Sequence, residues 1–173
     1  TPDFALALRA ALRQAPKVIL VGEMRDRETI EVAMEAAETG HLVLSTLHTI
    51  DAAKTIDRII GVFPKNEEAV IRTRLSQSFR RIISQRLMPK VGGGRIAAIE
   101  ILVSTSRTRE YIEKGEKDGR SITDAMNDGE LDGMQTFDKV LERYIREGLV
   151  QKETALAYAT NQTNLQLAIA DLS

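Results

Sequence analysis

Two short runs of apolar residues near the start of the chain each end in polar residues. The first run, residues 18–21, has three β-branched side chains and leads through Gly22 to Glu23. Such runs are typical of buried parallel strands, and the ligands of open α/β sheets bind at the carboxyl ends of the strands. Glu23 is therefore a candidate to align a water molecule or to hold a metal ion beside a phosphate. The alternative is a plain core strand that ends in a solvated glutamate.

The second apolar run lies between His41 and His48, which are the only histidines of the chain. Residues 28–38, between the two runs, have the apolar spacing of a helix, and Gly40 is a suitable stop. Strand, helix and strand together predict a βαβ unit with a right-handed crossover. We expect its polar strand ends, with Glu23 and both histidines, to meet at one edge of the sheet. The alternative is that the histidines are structural.

Other segments have helical periodicity, and one has the pattern of a hairpin. The glycine run 92–94 predicts a turn between strands 82–90 and 95–103. Helices are predicted over residues 4–13 and 51–62. A third helix is predicted to begin at a cap, Asn66, and to extend along an apolar stripe as far as Ile83. Only short helices are predicted later in the chain, over 107–114, from Ser121, and over 136–148, 152–160 and 165–172.

This change of pattern divides the chain into two predicted domains. Residues 1–105 are expected to form an α/β core, in which a mostly parallel sheet has flanking helices and a β-hairpin. Residues 106–173 are expected to form a small all-helical domain, whose buried stripe runs from Phe137 to Leu149. Glu100 lies at the end of a predicted strand. We expect it to form an ion pair with Arg86 or Arg95 and to have a structural role.

Composition narrows the classes of function. Aromatic residues make up only 4% of the chain and the net charge is −1, so neither base stacking nor a general attraction to nucleic acid is expected. No apolar run approaches the ~20 residues that span a bilayer, so no direct membrane insertion is expected. Cysteine is absent, which excludes a zinc site built on thiolates.

Several stretches of the chain resemble a known family. GEMRD at 22–26, followed by AAETGHLVLSTLHT at 36–49, is similar to the Walker B and histidine boxes of the secretion ATPase superfamily. The resemblance continues in ALRAALRQAPKVIL, DAAKTIDRIIGVFP, IISQRLMPKVGGGRIAAIEIL and GMQTFDKVLERYIREGL. These proteins are RecA-like hexameric motors, and within them the chain most resembles the type IV pilus retraction ATPases of the PilT type. The resemblance implies the second half of a RecA-like core, followed by a helical carboxyl-terminal domain.

One motif of such motors does not occur in the sequence. A P-loop holds phosphates through the backbone N–H groups and the lysine of G-x-x-x-x-G-K-[ST], and the chain contains no such motif. In the family the P-loop lies upstream of the segment that matches Thr1. We therefore interpret the chain as the carboxyl-terminal part of a longer motor, and we expect it to be inactive by itself.

The resemblance implies ATP and Mg²⁺ as cofactors and assigns roles at the first strand end. Glu23 would align or activate the attacking water, and magnesium would be held through water near Glu23 without a direct protein ligand. His48 and His41 would sense the γ-phosphate. Thr46 and Thr49, which flank His48, would share the same polar cluster.

Two arginines are candidates for phosphate contacts or for contacts between subunits. Arg13 and Arg25 would stabilise charge across a subunit interface, as arginine fingers do in related motors. For Arg25 the alternative is a local ion pair with Asp26 or Glu28.

The resemblance also implies partners and a location. It implies a homo-hexamer in the cytoplasm that lies at the inner membrane through a pilus platform protein. A stretch that matches a retraction motif agrees only at Arg109 and Ile112, so other functions stay open as alternatives. These are a pilus-assembly or type II secretion ATPase, a nucleic-acid translocase, and a non-catalytic RecA-like interaction module. The absence of cysteine favours the retraction type, since assembly ATPases typically carry paired CxxC motifs.

Overall fold

The computed structural model describes residues 3–117 and 119–172. The contacts of the chain group it into two compact units. The first unit holds the chain up to Thr49 together with Ala53–Arg80 and Ser104–Ser121. The second unit holds Ile50–Ala52, Arg81–Val103 and the chain from Ile122 onward.

The first unit contains a pair of parallel strands with helices beside them. Helix α1 spans Phe4–Leu12, strand β1 Val18–Val21, helix α2 Arg27–Glu38 and strand β2 Leu42–Ser45. The two strands are parallel, and their register runs from Val18 opposite Leu42 to Val21 opposite Ser45. Three further helices are α3 (Ala52–Gly61), whose first residue belongs to the second unit, α4 (Glu68–Ser78) and α5 (Ser106–Lys114).

The two faces of this strand pair differ in burial. On one face Ile19 and Val21 are buried against α1 and α2, whose contacting side chains are mostly small: Ala5, Leu8, Val32, Ala33 and Ala36. On the other face four apolar side chains are 49–73% exposed, namely Val18, Leu20, Leu42 and Leu44. Parallel sheets are normally covered on both faces. The uncovered face is therefore an apolar surface that a second layer would normally bury.

Helix α2 begins at a well-defined cap. The Asp26 carboxylate accepts hydrogen bonds from the backbone N–H of Thr29 at 2.9 Å and from its hydroxyl at 3.0 Å. These bonds hold the pKa of Asp26 below its ordinary value. Because the first N–H groups of a helix lack partners within the helix, this cap fixes the point at which the loop after β1 ends.

The second unit combines a hairpin with short helices. Strands β3 (Arg81–Pro89) and β4 (Arg95–Val103) are antiparallel, with Arg81 opposite Val103 and Pro89 opposite Arg95. Between them Gly92, Gly93 and Gly94 have φ of 82°, 101° and 77°, a conformation that residues with a β-carbon rarely adopt. The predicted hairpin and its glycine turn are confirmed.

Helices α6 (Ile122–Asp128), α7 (Phe137–Arg146), α8 (Lys152–Tyr158) and α9 (Gln162–Ala168) follow the hairpin. The core of this unit joins both strands to three of these helices through Met88, Ala98, Phe137, Val140, Leu141, Val150, Ala155, Leu165 and Ile169. Tyr144, Ile145 and Leu149 pack against the same cluster. The predicted apolar stripe of α7 is thus confirmed.

One predicted helix extends too far. We predicted that the helix continues to Ile83, but α4 ends at Ser78. The next residue, Phe79, already has an extended backbone, with φ −70° and ψ 147°. The β-branched Ile82 and Ile83 lie in β3, opposite Leu102 and Ile101. The predicted cap at Asn66 is also wrong, because Asn66 lies in a 3₁₀ turn (Lys65–Glu67) and the residue before α4 is Glu67.

The expected α/β class, with a parallel strand pair, a hairpin and short helices at the carboxyl end, is confirmed. The compact units do not follow the boundary drawn after residue 105, since the hairpin groups with the later helices and Ser104–Ser121 groups with the first unit. The division into domains 1–105 and 106–173 stays a prediction. Within the described residues, every helix is too short or too polar to cross a membrane.

A matched pair of leucine substitutions tests the core of the second unit. Leu141 is fully buried on α7, whereas Leu131 lies wholly exposed in the turn before it. We expect Leu141→Ala to lower the free energy of unfolding by about 2–5 kcal/mol through lost burial and a cavity. Leu131→Ala, the control, should change it by less than about 0.5 kcal/mol. Urea unfolding followed by circular dichroism measures both, and equal effects would contradict the assigned core.

Candidate functional site

The loops that follow β1 and β2 are joined at the carboxyl end of the strand pair. The backbone N–H of Met24 donates to the carbonyl oxygen of Thr46 at 3.2 Å. The Thr46 hydroxyl donates to the carbonyl oxygen of Gly22 at 2.5 Å. Both bonds lie just beyond the last strand pair, Val21 opposite Ser45. The loop that carries Glu23 and the loop that carries His48 are therefore held side by side.

Glu23 is the centre of a small charged cluster at this edge. Its Oε1 accepts a hydrogen bond from Nε of Arg25 and lies 3.3 Å from Nε2 of His48. The Glu23 side chain is only 23% exposed, whereas the side chains of Arg25 and His48 are 74% and 84% exposed. The carboxylate is thus partly enclosed, and its two partners stand open to solvent. We call Glu23, Arg25 and His48 the strand-end cluster.

The charges in the strand-end cluster favour the ionised form of Glu23. The hydrogen bond from Arg25 lowers the pKa of Glu23, and the charges of Arg25 and His48 lower it further, against the opposing effect of partial burial. The same pair raises the pKa of Arg25. Since a carboxylate with a lowered pKa is a weak base at neutral pH, Glu23 is suited to orienting a polar group rather than to removing a proton from it.

Thr49 and Arg13 lie apart from this cluster. The hydroxyls of Thr49 and Thr55 share a hydrogen bond of 2.6 Å, which ties the loop after β2 to α3. The backbone N–H of Arg13 caps the end of α1, and its side chain is exposed. Within the described part of the chain, no hydrogen bond or ion pair joins Arg13 or Thr49 to Glu23.

The expectation that His41 shares an edge with Glu23 is wrong. His41 precedes β2, and Leu42 pairs with the first residue of β1, so His41 lies at the amino end of the strands. Its Nδ1 donates to the carbonyl oxygen of Ala36 at 3.0 Å, next to the Thr39 hydroxyl at 3.3 Å. Four residues of a parallel strand, about 13 Å at the usual rise, separate it from the strand-end cluster.

Arg25 pairs with a residue that we did not expect. Asp26 is occupied as the cap of α2, and Glu28 forms an ion pair with Arg9 at 3.0 Å. Arg25 instead donates a hydrogen bond to the carboxylate of Glu23. The signal for this was present in the sequence, because Asp26 stands three residues before Thr29 at the start of a helical pattern and is a favoured cap residue there.

The donor groups at this edge set a limit on metal binding. Gly22 offers no side chain, Asp26 is used by the helix cap, and Glu23 alone points a carboxylate into the cluster. Across the residues that the structure describes, no group of three or more histidine or acidic side chains is placed to hold a metal ion. The arrangement fits Mg²⁺ held by phosphate oxygens and water, with one carboxylate nearby, which is a common mode for this ion.

Comparisons with known proteins show which family the chain is similar to. The model of the type II/IV secretion system protein family matches residues 1–93. The chain is 50% identical over 155 residues to the type IV pilus retraction ATPase PilT of Pseudomonas aeruginosa, which covers 90% of this chain and 44% of that protein. It is 47% identical over 166 residues to a twitching motility protein of Neisseria gonorrhoeae, which covers 95% of this chain and 44% of that protein.

A solved structure is similar in fold as well. The crystal structure of the pilus retraction motor PilT with bound ADP aligns with a TM-score of 0.82 and 44% identity, over 96% of this chain and 46% of that one. This likeness confirms the expected ATPase fold. The chain thus spans less than half the length of the curated relatives it matches here.

The strand-end cluster predicts how the ionisation of Glu23 depends on Arg25. Replacing Arg25 with Gln removes the hydrogen bond and charge that contribute most to the lowered pKa, so the pKa of Glu23 should rise. Carbon-13 NMR of the glutamate side-chain carboxyls measures it as a function of pH. Arg27→Gln is the control, because the Arg27 guanidinium binds Glu67 at 2.8 Å, and it should leave Glu23 unchanged. An unchanged Glu23 pKa in Arg25→Gln would mean that the pair does not form in solution.

Proposed function

The chain belongs to the type II/IV secretion system protein family, and we propose that it forms part of a hexameric motor that hydrolyses ATP to drive type IV pilus retraction. The observation that carries the proposal is the strand-end cluster of Glu23, Arg25 and His48. The likeness to retraction and twitching-motility proteins extends over nearly the whole chain. That extent favours a retraction motor over pilus assembly, whose ATPases match about half of the chain, and the higher identity, 50% against 33%, favours it over type II secretion.

In this proposal Glu23 orients the attacking water. The carboxylate is partly enclosed, and its loop is held by the hydrogen bonds that Gly22 and Met24 form with Thr46. Because its pKa is lowered, it stays ionised at neutral pH and accepts a hydrogen bond from water without taking the proton. Positioning of this kind is the main contribution that a protein makes to phosphoryl transfer.

His48 and the two arginines act on charge around the phosphates. The exposed His48 ring has its Nε2 beside Glu23, and in this proposal it donates to a γ-phosphate and changes partner after hydrolysis. Arg25 and Arg13 are proposed to contact phosphate or a neighbouring subunit. Thr46 holds the two loops together, and Thr49 supports the second loop through Thr55.

ATP and Mg²⁺ are the proposed cofactors, and the chain would supply only part of their site. Mg²⁺ neutralises charge on the transferred phosphoryl group when it is bound. The chain offers Glu23 as a contact through water, with no direct ligand. Its sequence has no P-loop to hold the phosphates. We therefore propose that the 173-residue chain alone does not turn over ATP.

The proposed assembly and location follow from the same family. We propose a homo-hexamer on the cytoplasmic side of the inner membrane that acts on a platform protein of the pilus. In it, the domains 1–105 and 106–173 would serve as the ATPase core portion and a helical domain. The uncovered apolar face of β1 and β2 is compatible with a chain whose sheet is covered by another part of a larger protein or assembly.

ATP turnover in a chimaera tests this function. The chain replaces the matching segment of the Pseudomonas aeruginosa PilT relative, and ATP hydrolysis and binding are measured with and without Glu23→Gln. The substitution keeps the size of the side chain and removes its charge. We expect turnover to fall about 100-fold or more, equivalent to about 2.7 kcal/mol of barrier, while ATP binding is kept.

Glu35→Gln is the matched control for this experiment. Glu35 lies exposed on α2, so turnover should be unchanged. If Glu23→Gln retains full turnover, Glu23 is not at the chemistry. If the unmodified chimaera binds but does not hydrolyse ATP, the chain is a non-catalytic interaction module instead.

A further inference from the structure

The backbone at His48 is bent by a hydrogen bond between its two neighbours. The backbone N–H of Thr49 donates to the carbonyl oxygen of Leu47 at 3.2 Å. A bond between residues two positions apart closes a γ-turn around the residue between them, which here is His48. The His48 side chain is 84% exposed, so few packing contacts fix its imidazole. The position of the ring therefore depends on how the two ends of this turn are held.

The upstream end of the turn is held at the strand pair. Thr46, directly before Leu47, accepts the backbone N–H of Met24 with its carbonyl oxygen and donates its hydroxyl to the carbonyl oxygen of Gly22. These bonds tie the turn to the loop that carries Glu23, whose Oε1 lies 3.3 Å from Nε2 of His48. A single attachment would let the turn rotate about Thr46, so the direction of the ring also depends on the downstream end.

The downstream end of the turn is held by Thr55 on α3. The hydroxyls of Thr49 and Thr55 share their hydrogen bond at 2.6 Å. Thr55 is only 7% exposed, and a hydrogen bond that is partly shielded from water is stronger than one in open solvent. Three isoleucines of the same helix are buried as well, namely Ile56, Ile59 and Ile60. The helix is therefore a firm support for the turn.

All of these contacts lie within the first unit, which the chain leaves directly after Thr49. Ile50–Ala52 belong to the second unit, where the Glu100 carboxylate accepts the backbone N–H of Ala52 at 2.8 Å. The expected ion pair of Glu100 is correct only in part, because Arg86 acts on it through its charge while its hydrogen bonds come from backbone N–H groups. The first unit has its own hold on the turn, through Thr55.

We infer that Thr55 is a positioning residue for His48, because its hydroxyl holds the Thr49 end of the turn that keeps the imidazole beside Glu23. The relevance of this contact to catalysis rests on the proposed function, but the contact itself involves no nucleotide. Loss of the Thr55 hydroxyl releases the downstream end of the turn. Nε2 of His48 then no longer keeps a constant distance from Oε1 of Glu23.

The two histidines provide a direct test in the 173-residue chain. His48 reports on the strand-end cluster, and His41, fixed to Ala36 at the other end of β2, is an internal reference. The measurement is the chemical shift of each imidazole in two-dimensional NMR spectra at one fixed pH. In the unmodified chain, Glu23→Gln should move the His48 signals and leave those of His41 in place. Without a response of His48, the two side chains do not meet in solution and the inference fails.

The same comparison is then repeated in Thr55→Val, which keeps the branched shape of the side chain and removes the hydroxyl. We expect the response of His48 to Glu23→Gln to fall by about half or more, since the coupling of two sites is lost when their geometry is no longer fixed. Thr55→Ser keeps the hydroxyl and should restore most of the response. Thr73→Val is the matched control, because it removes a hydroxyl of the same unit that contacts Glu113 at 3.4 Å, and it should leave the response intact.

Thr49→Val separates loss of the bond from damage to α3. It removes the other hydroxyl of the pair and should lower the His48 response by a similar amount. The double variant Thr49→Val/Thr55→Val should lose no more than either single variant, because all three lack the same bond. An additive loss in the double variant would mean that the two threonines act separately, and it would contradict the inference.

A full His48 response in folded Thr55→Val would overturn the inference and leave Thr55 as a packing residue of α3 only. Should Thr55→Val fail to fold, Thr49→Val decides by the same measurement, because it leaves α3 unchanged. A full response in Thr49→Val would then overturn the inference. None of these readouts needs ATP, so failure of the chimaera to hydrolyse ATP would leave this test standing.

Discussion

The parallel pairing of β1 and β2 is the constraint on which the candidate site depends. Once Val21 lies opposite Ser45, the next residues of both strands must emerge at the same edge. The bonds from Met24 to Thr46 and from Thr46 to Gly22 then join the two loops. Glu23 and His48 meet as a result of strand direction and register, since each is only a few residues from a paired position.

The same constraint shows what the sequence could and could not predict. The apolar runs were enough to predict both strands, the helix between them and the meeting of Glu23 with His48. They were also enough to place His41 at the opposite edge from Glu23, because residues before and after a strand lie at opposite edges of a sheet. Treating the two histidines as a pair was an error of interpretation, and the signal that would have corrected it was in the pattern.

Other features were not accessible from local pattern. Phe79, Ile82 and Ile83 continue the helical spacing of α4, but Ile82 and Ile83 belong to the β3–β4 hairpin, where they lie opposite Leu102 and Ile101. Tertiary pairing of this kind overrides local periodicity. The bond from Ala52 to Glu100 likewise joins residues far apart in sequence, and no spacing rule predicts which backbone N–H a buried carboxylate will accept.

The electrostatics of the strand-end cluster constrain any catalytic role of Glu23. A carboxylate that already accepts a hydrogen bond from Arg25 and lies beside His48 has less capacity left for water. Its lowered pKa argues further against proton removal. Both contacts are made by Oε1, so Oε2 can still accept a hydrogen bond from water, and the 74% exposure of the Arg25 side chain leaves room for the guanidinium to change partner. An anionic phosphate is the kind of group that can take over a guanidinium, because Arg binds phosphate as readily as carboxylate. In the function proposed above, transfer of Arg25 to phosphate would free Oε1 of Glu23.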